Sequence, residues 1–231
     1  MKRLVLSSRL SLRSFVLALV SLGCVQQNPA TAARENFSSM GQLQAADDQI
    51  VLGRSLVLNH GCAGCHGGPS PASPEWLAGL MHPGQEFLEG PCALTPGATP
   101  CWHTRPRNIT PDNATGLGRF TERQIFNALR YGLRPEDTPD VDITSSTPGV
   151  GNFPRHPRYL APPMPWPAWR FMSDKELAAI AAYLKRAVKP VTNKVQESEG
   201  PPDFWASIYV VGNIGPYPAP AFPAANERVP R

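Results

Sequence analysis

Five residues, Cys62-Ala63-Gly64-Cys65-His66, constrain this chain more than any other feature. Their C-x-x-C-H spacing is the one by which a polypeptide attaches haem covalently. Each thiol forms a thioether to one side of the porphyrin, and the adjacent imidazole lies against the iron as its proximal ligand. A chain carrying this motif must fold around a large, flat, mostly apolar group. A C-x-x-C is also half of a zinc site, or a redox dithiol, and the other residues have to decide among the three.

The N-terminus reads as an export signal. Lys2, Arg3, Arg9 and Arg13 precede an apolar run from Phe15 to Val25, and Ala30-Thr31-Ala32 fits the small-x-small cleavage rule. The run has eleven residues, short against the roughly 20 that cross a bilayer. Leu22-Gly23-Cys24 resembles a lipobox, although Ser21 and Leu22 depart from the usual pattern, so lipid attachment at Cys24 is the alternative to ordinary cleavage. Residues 1–32 hold four basic and no acidic side chains, so the 22 basic residues fall to 18 against 18 acidic ones in the mature chain. A balance near zero removes the compositional case for nucleic-acid binding.

Export agrees with the remaining cysteines. Cys92 and Cys101 stand nine positions apart with Pro96, Gly97 and Pro100 between them, and in an oxidising compartment they are expected to pair. A zinc site needs four ligands, and C-x8-C is a poor second half for C-x-x-C.

Three helices are expected. The first spans Asp48 to His60, capped by Asp47 or Asp48, with Ile50, Leu52, Leu56 and Val57 as its apolar stripe and Gly61 ending it. The second covers about Glu122 to Tyr131, opened by a Thr121/Gln124 capping box and closed by Gly132. The third follows a Ser173/Glu176 capping box, with Leu177, Ile180, Ala181 and Leu184 at helical spacing and Lys185 and Arg186 at its negative end. Between them lie two long Gly- and Pro-rich segments, about 67–120 and 133–172. Loops of this length inside a domain are normally wrapped around something. Of 27 prolines, three surround Met164 in Ala161-Pro162-Pro163-Met164-Pro165-Trp166. They stiffen the backbone there and make Met164 the preferred sixth ligand, ahead of Met40, Met81 and Met172 and of His60, His82, His103 and His156. With sulfur and nitrogen filling the coordination sphere, electron transfer is favoured over substrate chemistry.

The order helix, C-x-x-C-H, wrapping loop, helix, methionine loop, C-terminal helix resembles the class I cytochrome c family over about Asp47 to Val191. Asn108-Ile109-Thr110-Pro111-Asp112, Thr115-Gly116-Leu117-Gly118 and Met164-Pro165-Trp166 with Met172-Ser173-Asp174 resemble a bacterial subgroup of it that serves periplasmic dehydrogenases and terminal oxidases. The resemblance implies an all-α fold around one covalent haem c. It implies a meeting of Gly53 with Tyr183 where the first and last helices cross, and a loop carbonyl, usually from a proline, that orients His66 through Nδ1. Pro106 and Pro111 both flank the matching motif, and Arg107 stands where related sequences often have proline. Arg105, Arg107 and Asn108 are expected as haem-propionate partners. Two inserts depart from the family, at 69–105 and 135–160, and Asp137, Asp140 and Asp142 in the second read as an ordinary acidic loop.

The expected organisation is an export signal at 1–32, a cytochrome c domain at 45–192 and a Pro-rich extension at 193–231. The expected function is a periplasmic electron carrier, soluble or lipid-anchored, exchanging single electrons with a dehydrogenase, an oxidase or another cytochrome. Cys62, Cys65, His66 and Met164 hold the haem, Arg107 and Asn108 assist, and no residue is catalytic. The rivals are a haem enzyme or gas sensor with a labile sixth ligand, and an electron-transfer subunit of a larger dehydrogenase or oxidase complex.

Overall fold

Thr121 and Ser173 start helices for the same reason. Each side-chain hydroxyl accepts from the backbone N–H three residues on, and each third residue reaches back to the cap: Thr121 with Gln124, Ser173 with Glu176. Two otherwise unpaired donors are satisfied at each end. The structure, a computed structural model, describes residues 29–80, 86–161, 164–199 and 223–229. Its elements are α1 (Pro29–Asn59), α2 (Cys62–His66), β1 (Phe87–Glu89), β2 (Trp102–Thr104), α3 (Glu122–Tyr131), α4 (Trp166–Trp169) and α5 (Asp174–Arg186). The chain divides into two compact units at Gly41/Gln42, and the C-x-x-C-H motif lies in the second.

One expectation needs correction. The first helix does not begin at Asp48 but runs back to Pro29. The preceding stretch holds five alanines and two glutamines, good helix formers, and proline is tolerated in a first turn. Asp48 is therefore an interior residue, its carboxylate accepting from Gln44 Nε2 one turn earlier. The fold is helix-rich with few strands, compatible with the expected all-α class. Within the 69–105 insert β1 and β2 pair antiparallel, Phe87 opposite Thr104, and a Cys92–Cys101 disulfide joins the chain between them. The bridge brings two short aromatic-containing arms together, and aromatic residues suit paired strands.

Gly53 sits where α1 meets α5. A Cβ there would lie 1.9 Å from the Ala179 carbonyl oxygen and 2.8 Å from Tyr183 Cβ. Only glycine permits so close an approach, which accounts for its cost inside a helix. Tyr183 also accepts a hydrogen bond from Trp76 Nε1, at 3.2 Å. The main core gathers Val57, Leu77, Ile125, Leu129, Leu177, Ile180 and Leu184 from these elements. A second, smaller cluster of Leu133, Ile143 and Phe153 gives the enlarged 133–160 segment its own core. The acidic residues of that segment each have a separate partner: Asp137 pairs with Arg158, Asp142 with Arg123, and Asp140 accepts from Thr121 Oγ1.

Among the described residues no helix is long and apolar enough to cross a membrane. Residues 1–28 with Cys24, Met81, His82, Pro162, Pro163 and most of the Pro-rich tail lie outside the described residues.

Candidate functional site

Gly61 breaks the chain direction after α1, and the single-turn helix α2 follows at once. It presents Cys62 half-buried, Cys65 exposed and His66 buried. Neither cysteine is in a disulfide. Burial, with a smaller contribution from Cys65 beside it, pushes the Cys62 thiol up to about 11. A redox dithiol needs an easily formed thiolate, so this environment argues against that reading. Among the described residues no three His, Cys, Asp or Glu side chains converge.

His66 is held by one hydrogen bond. Its Nδ1–H donates to the Arg107 carbonyl oxygen at 2.7 Å. A carbonyl can only accept, so the proton must be on Nδ1, and the Nε2 lone pair is free to ligate. Burial lowers the pKa of the imidazole and keeps it neutral, while the Arg107 carbonyl opposes that shift more weakly. The orienting carbonyl is thus neither Pro106 nor Pro111. It comes from the residue standing where a proline was anticipated, and the function of the position resides in its main chain, which both residue types share.

Three stretches of chain converge behind that bond. Gly79 N–H donates to the His66 carbonyl at 2.6 Å and Leu77 N–H to Gly67 at 2.8 Å. The same segment reaches the other way: Leu80 N–H donates to the Pro106 carbonyl and Ile109 N–H to Leu77, each at 3.0 Å. Gly79 has φ of +88°, and a Cβ on it would lie 2.7 Å from Asn108 N and 2.8 Å from the Arg107 carbonyl carbon. No other residue fits both the backbone conformation and the space.

The expected propionate partners have other engagements. Arg105 is buried, its guanidinium donating to the Glu197 carbonyl and pairing with the Glu199 carboxylate at 3.1 Å. Arg107 is exposed and bonds the Gln196 carbonyl and the Glu197 carboxylate. Asn108 is 3% exposed, and every polar atom of its side chain is used. Its amide donates to Thr115 Oγ1 and the Val191 carbonyl, and its oxygen accepts from Thr110 N–H and Thr110 Oγ1. In this arrangement all three side chains tie the loop to the segment after α5.

Met164 lies across the core from this loop system in chain order, yet it borders the same apolar cluster as Cys62, Ala63, Ile109, Phe120 and Phe126. Its N–H donates to the Ala161 carbonyl at 3.0 Å. Trp166, two residues on, is 1% exposed and stacks on Tyr159 with ring planes 5° apart. Gly132 ends α3 in the left-handed conformation and leaves room for the Trp166 ring, which would be 2.1 Å from a Cβ there. Arg130 anchors the far end of α4 by donating to the Arg170 and Met172 carbonyls and pairing with Asp174. Met172 also borders the core. Of the other candidates, His60 is exposed with its ring edge-on to Trp169, His103 lies in β2 beside Cys101, His156 is exposed, and Met40 falls within α1.

Sequence reasoning missed the segment after α5, whose Val191, Asn193, Gln196, Glu197 and Ser198 bond Ala78 and the Arg105, Arg107 and Asn108 loop that faces His66. No motif marks it. Only the run of polar residues immediately beyond a finished helix hinted that the domain continues.

No protein-family model matches the chain. It is 27% identical over 167 residues to the gluconate 2-dehydrogenase cytochrome c subunit of Pantoea cypripedii, covering 72% of this chain and 29% of that protein. It is 28% identical over 155 residues to the cytochrome c subunit of a quinone alcohol dehydrogenase of Gluconacetobacter polyoxogenes, covering 67% of this chain and 25% of that one. A fructose dehydrogenase cytochrome subunit of Gluconobacter japonicus is 26% identical over 142 residues, covering 62% and 22% respectively. The chain spans less than a third of the length of these curated relatives. All three are cytochrome subunits of dehydrogenases.

Proposed function

We propose that this chain is an exported monohaem c-type cytochrome that carries electrons and performs no acid–base catalysis of its own. Cys62 and Cys65 would anchor the porphyrin through thioethers, His66 would ligate through Nε2, and Met164 would supply a sulfur ligand. When bound, such a group supplies a one-electron ferrous/ferric couple. The observation that carries the reading is the His66 bond: a buried imidazole whose Nδ1–H is committed to a main-chain carbonyl presents Nε2 as a ready metal donor, one residue after a pair of unlinked cysteines. The apolar fringe of Ile109, Phe120, Phe126 and Met164 suits a flat hydrophobic group. Arg107 and Asn108 belong to the binding set through the loop they build: Arg107 by its carbonyl, Asn108 by locking the turn that follows.

The partner class is a dehydrogenase. The named relatives are dehydrogenase subunits, and this supports a subunit role as directly as a free carrier role; in either case the chain takes electrons from a reduced dehydrogenase centre and passes them on. The N-terminal signal pattern and the Cys92–Cys101 bridge support a periplasmic location.

Absorption spectroscopy of the purified holoprotein tests the assignment. A six-coordinate low-spin haem with one haem mass added per chain is expected, and Met164→Ala should lose the sulfur-to-iron band and lower the potential. Met164→Ala with an unchanged spectrum removes that residue from the role. Rapid carbon monoxide binding or peroxide turnover by the wild type favours the enzyme or sensor class instead.

A further inference from the structure

Residues 191–199 form no regular element, yet they follow the length of the loop that carries the Arg107 carbonyl. Val191 N–H donates to Thr110 Oγ1 and its carbonyl accepts from Asn108. Thr192 Oγ1 donates to Asp112. Asn193 N–H donates to Thr115 Oγ1, while its side-chain amide donates to the Ala78 carbonyl at 2.8 Å and the Leu80 carbonyl at 3.2 Å. Val195 is buried against Gly79, its Cγ2 lying 2.8 Å from where a Cβ would stand. Further along, the Gln196 and Glu197 carbonyls and Ser198 Oγ receive Arg107, Arg105 and the Arg105 N–H. Glu199 closes the row, exchanging both backbone bonds with His103 of β2 at 2.9 Å.

We propose that residues 191–199 are a strap that fixes the Arg107 carbonyl against His66 Nδ1 and thereby sets the reduction potential of the iron, with Asn193 as its principal positioning residue. The inference rests on the haem reading above. The link is electronic. A fixed acceptor at Nδ1 makes Nε2 a stronger donor, and stronger donation favours ferric over ferrous iron. A carbonyl free to drift weakens that donation, so the potential rises.

Asn193 is the residue on which the geometry turns. Its amide grips the carbonyls on both sides of Gly79, and Gly79 N–H is bonded to the His66 carbonyl. The Leu77–Leu80 stretch also bonds Pro106 and Ile109, which flank Arg107 and Asn108. One side chain therefore ties the strap to the segment that registers His66 against Arg107. Asn193 touches neither the imidazole nor the ligating atoms, so it acts only through position.

The experiment is Asn193→Ala in the haem-loaded protein, a neutral change at a half-buried site. Two quantities are read: the midpoint potential, and the solvent exchange of the His66 Nδ1–H by proton NMR. The potential is expected to rise, and exchange to quicken roughly five- to tenfold or more, since about one net neutral hydrogen bond corresponds to fivefold and the variant loses two. Val195→Ala, which trims the strap where it packs on Gly79, should move both in the same direction by less. Asn127→Ala is the control. Asn127 also clamps two loop carbonyls, those of Pro139 and Val141, but far in sequence from the strap. It should cost stability and leave the Nδ1–H exchange unmoved. A haem-loaded Asn193→Ala with wild-type potential and exchange overturns the strap alone, as does a control that moves the exchange equally. A wild-type chain that matures without covalent haem overturns the strap together with the reading beneath it.

Discussion

The two sides of the candidate haem site are held by different physics. On the His66 side, four stretches of chain near positions 66, 79, 107 and 193 are joined by main-chain and amide hydrogen bonds. On the Met164 side, the loop is stiffened by proline and pinned by the buried Trp166 ring between Tyr159 and Gly132. Hydrogen bonds are directional and fix an atom to a few tenths of an ångström, whereas apolar contact is non-directional and scales with area. The first arrangement suits a ligand whose donor strength depends on one carbonyl, the second a thioether that needs only to be kept near the iron.

Three measurements can break that contrast. The largest effect is expected from Trp166→Ala, which empties a ring-sized volume on the methionine side and should cost about 3–5 kcal/mol in urea unfolding. It should also abolish the sulfur-to-iron band while leaving the histidine ligated; a loss of both ligands together would mean that the two sides are one unit. Next is Asn108→Ala. It leaves the N–H of Thr110, a residue with 0% exposure, without its acceptor and the Thr110 hydroxyl with only the Val191 carbonyl at 3.3 Å, at a cost of about 1–3 kcal/mol. Here the histidine side should suffer first, seen as faster Nδ1–H exchange at unchanged methionine ligation.

The smallest effect concerns acid. Hydrogen bonds from the Thr115 hydroxyl and N–H, and more weakly from Thr192 and Ala114, hold the Asp112 carboxyl below the ordinary carboxylate range. A carboxyl depressed in the folded state adds stability that is fully present above its unfolded pKa of about 3.9 and is lost as the pH falls through the lower folded value. Acid should therefore loosen the Asp112 turn on the histidine side, and likewise the Ser173 cap of α5, where hydrogen bonds hold the Glu176 carboxyl low as well. Asp112→Asn should flatten the acid limb of a stability–pH curve, and an acid limb identical to wild type would show that the Asp112 turn does not matter to it.

The helices at 122–131 and 174–186 were legible because capping boxes and apolar spacing are local signals, complete within a few residues. The start of α1 was misread because Asp47 and Asp48 look like caps and remain equally soluble on the face of a continuing helix. The hairpin inside the 69–105 insert was hidden because three-residue strands carry almost no periodic signal. In the site, the thiols and imidazole declare themselves by side-chain chemistry. The Arg107 carbonyl does not, since every residue has one, and Arg105 and Asn108 attracted a ligand-binding reading for the polar groups that the fold spends on residues 191–199.

What this chain determines by sequence alone is chemical identity: a C-x-x-C-H motif, a proline-framed methionine, an export-type N-terminus, and helices whose ends are written locally. These follow from bonds and short-range sterics, which act between neighbours in the chain. What only the tertiary structure decided is which carbonyl faces His66, why Gly53 and Gly79 cannot carry a side chain, and how the residues after α5 close over the loop. Those depend on groups from 28 (Gly79 and Arg107) to 126 (Gly53 and Ala179) positions apart meeting in close contact, and such meetings are settled by packing of the whole domain.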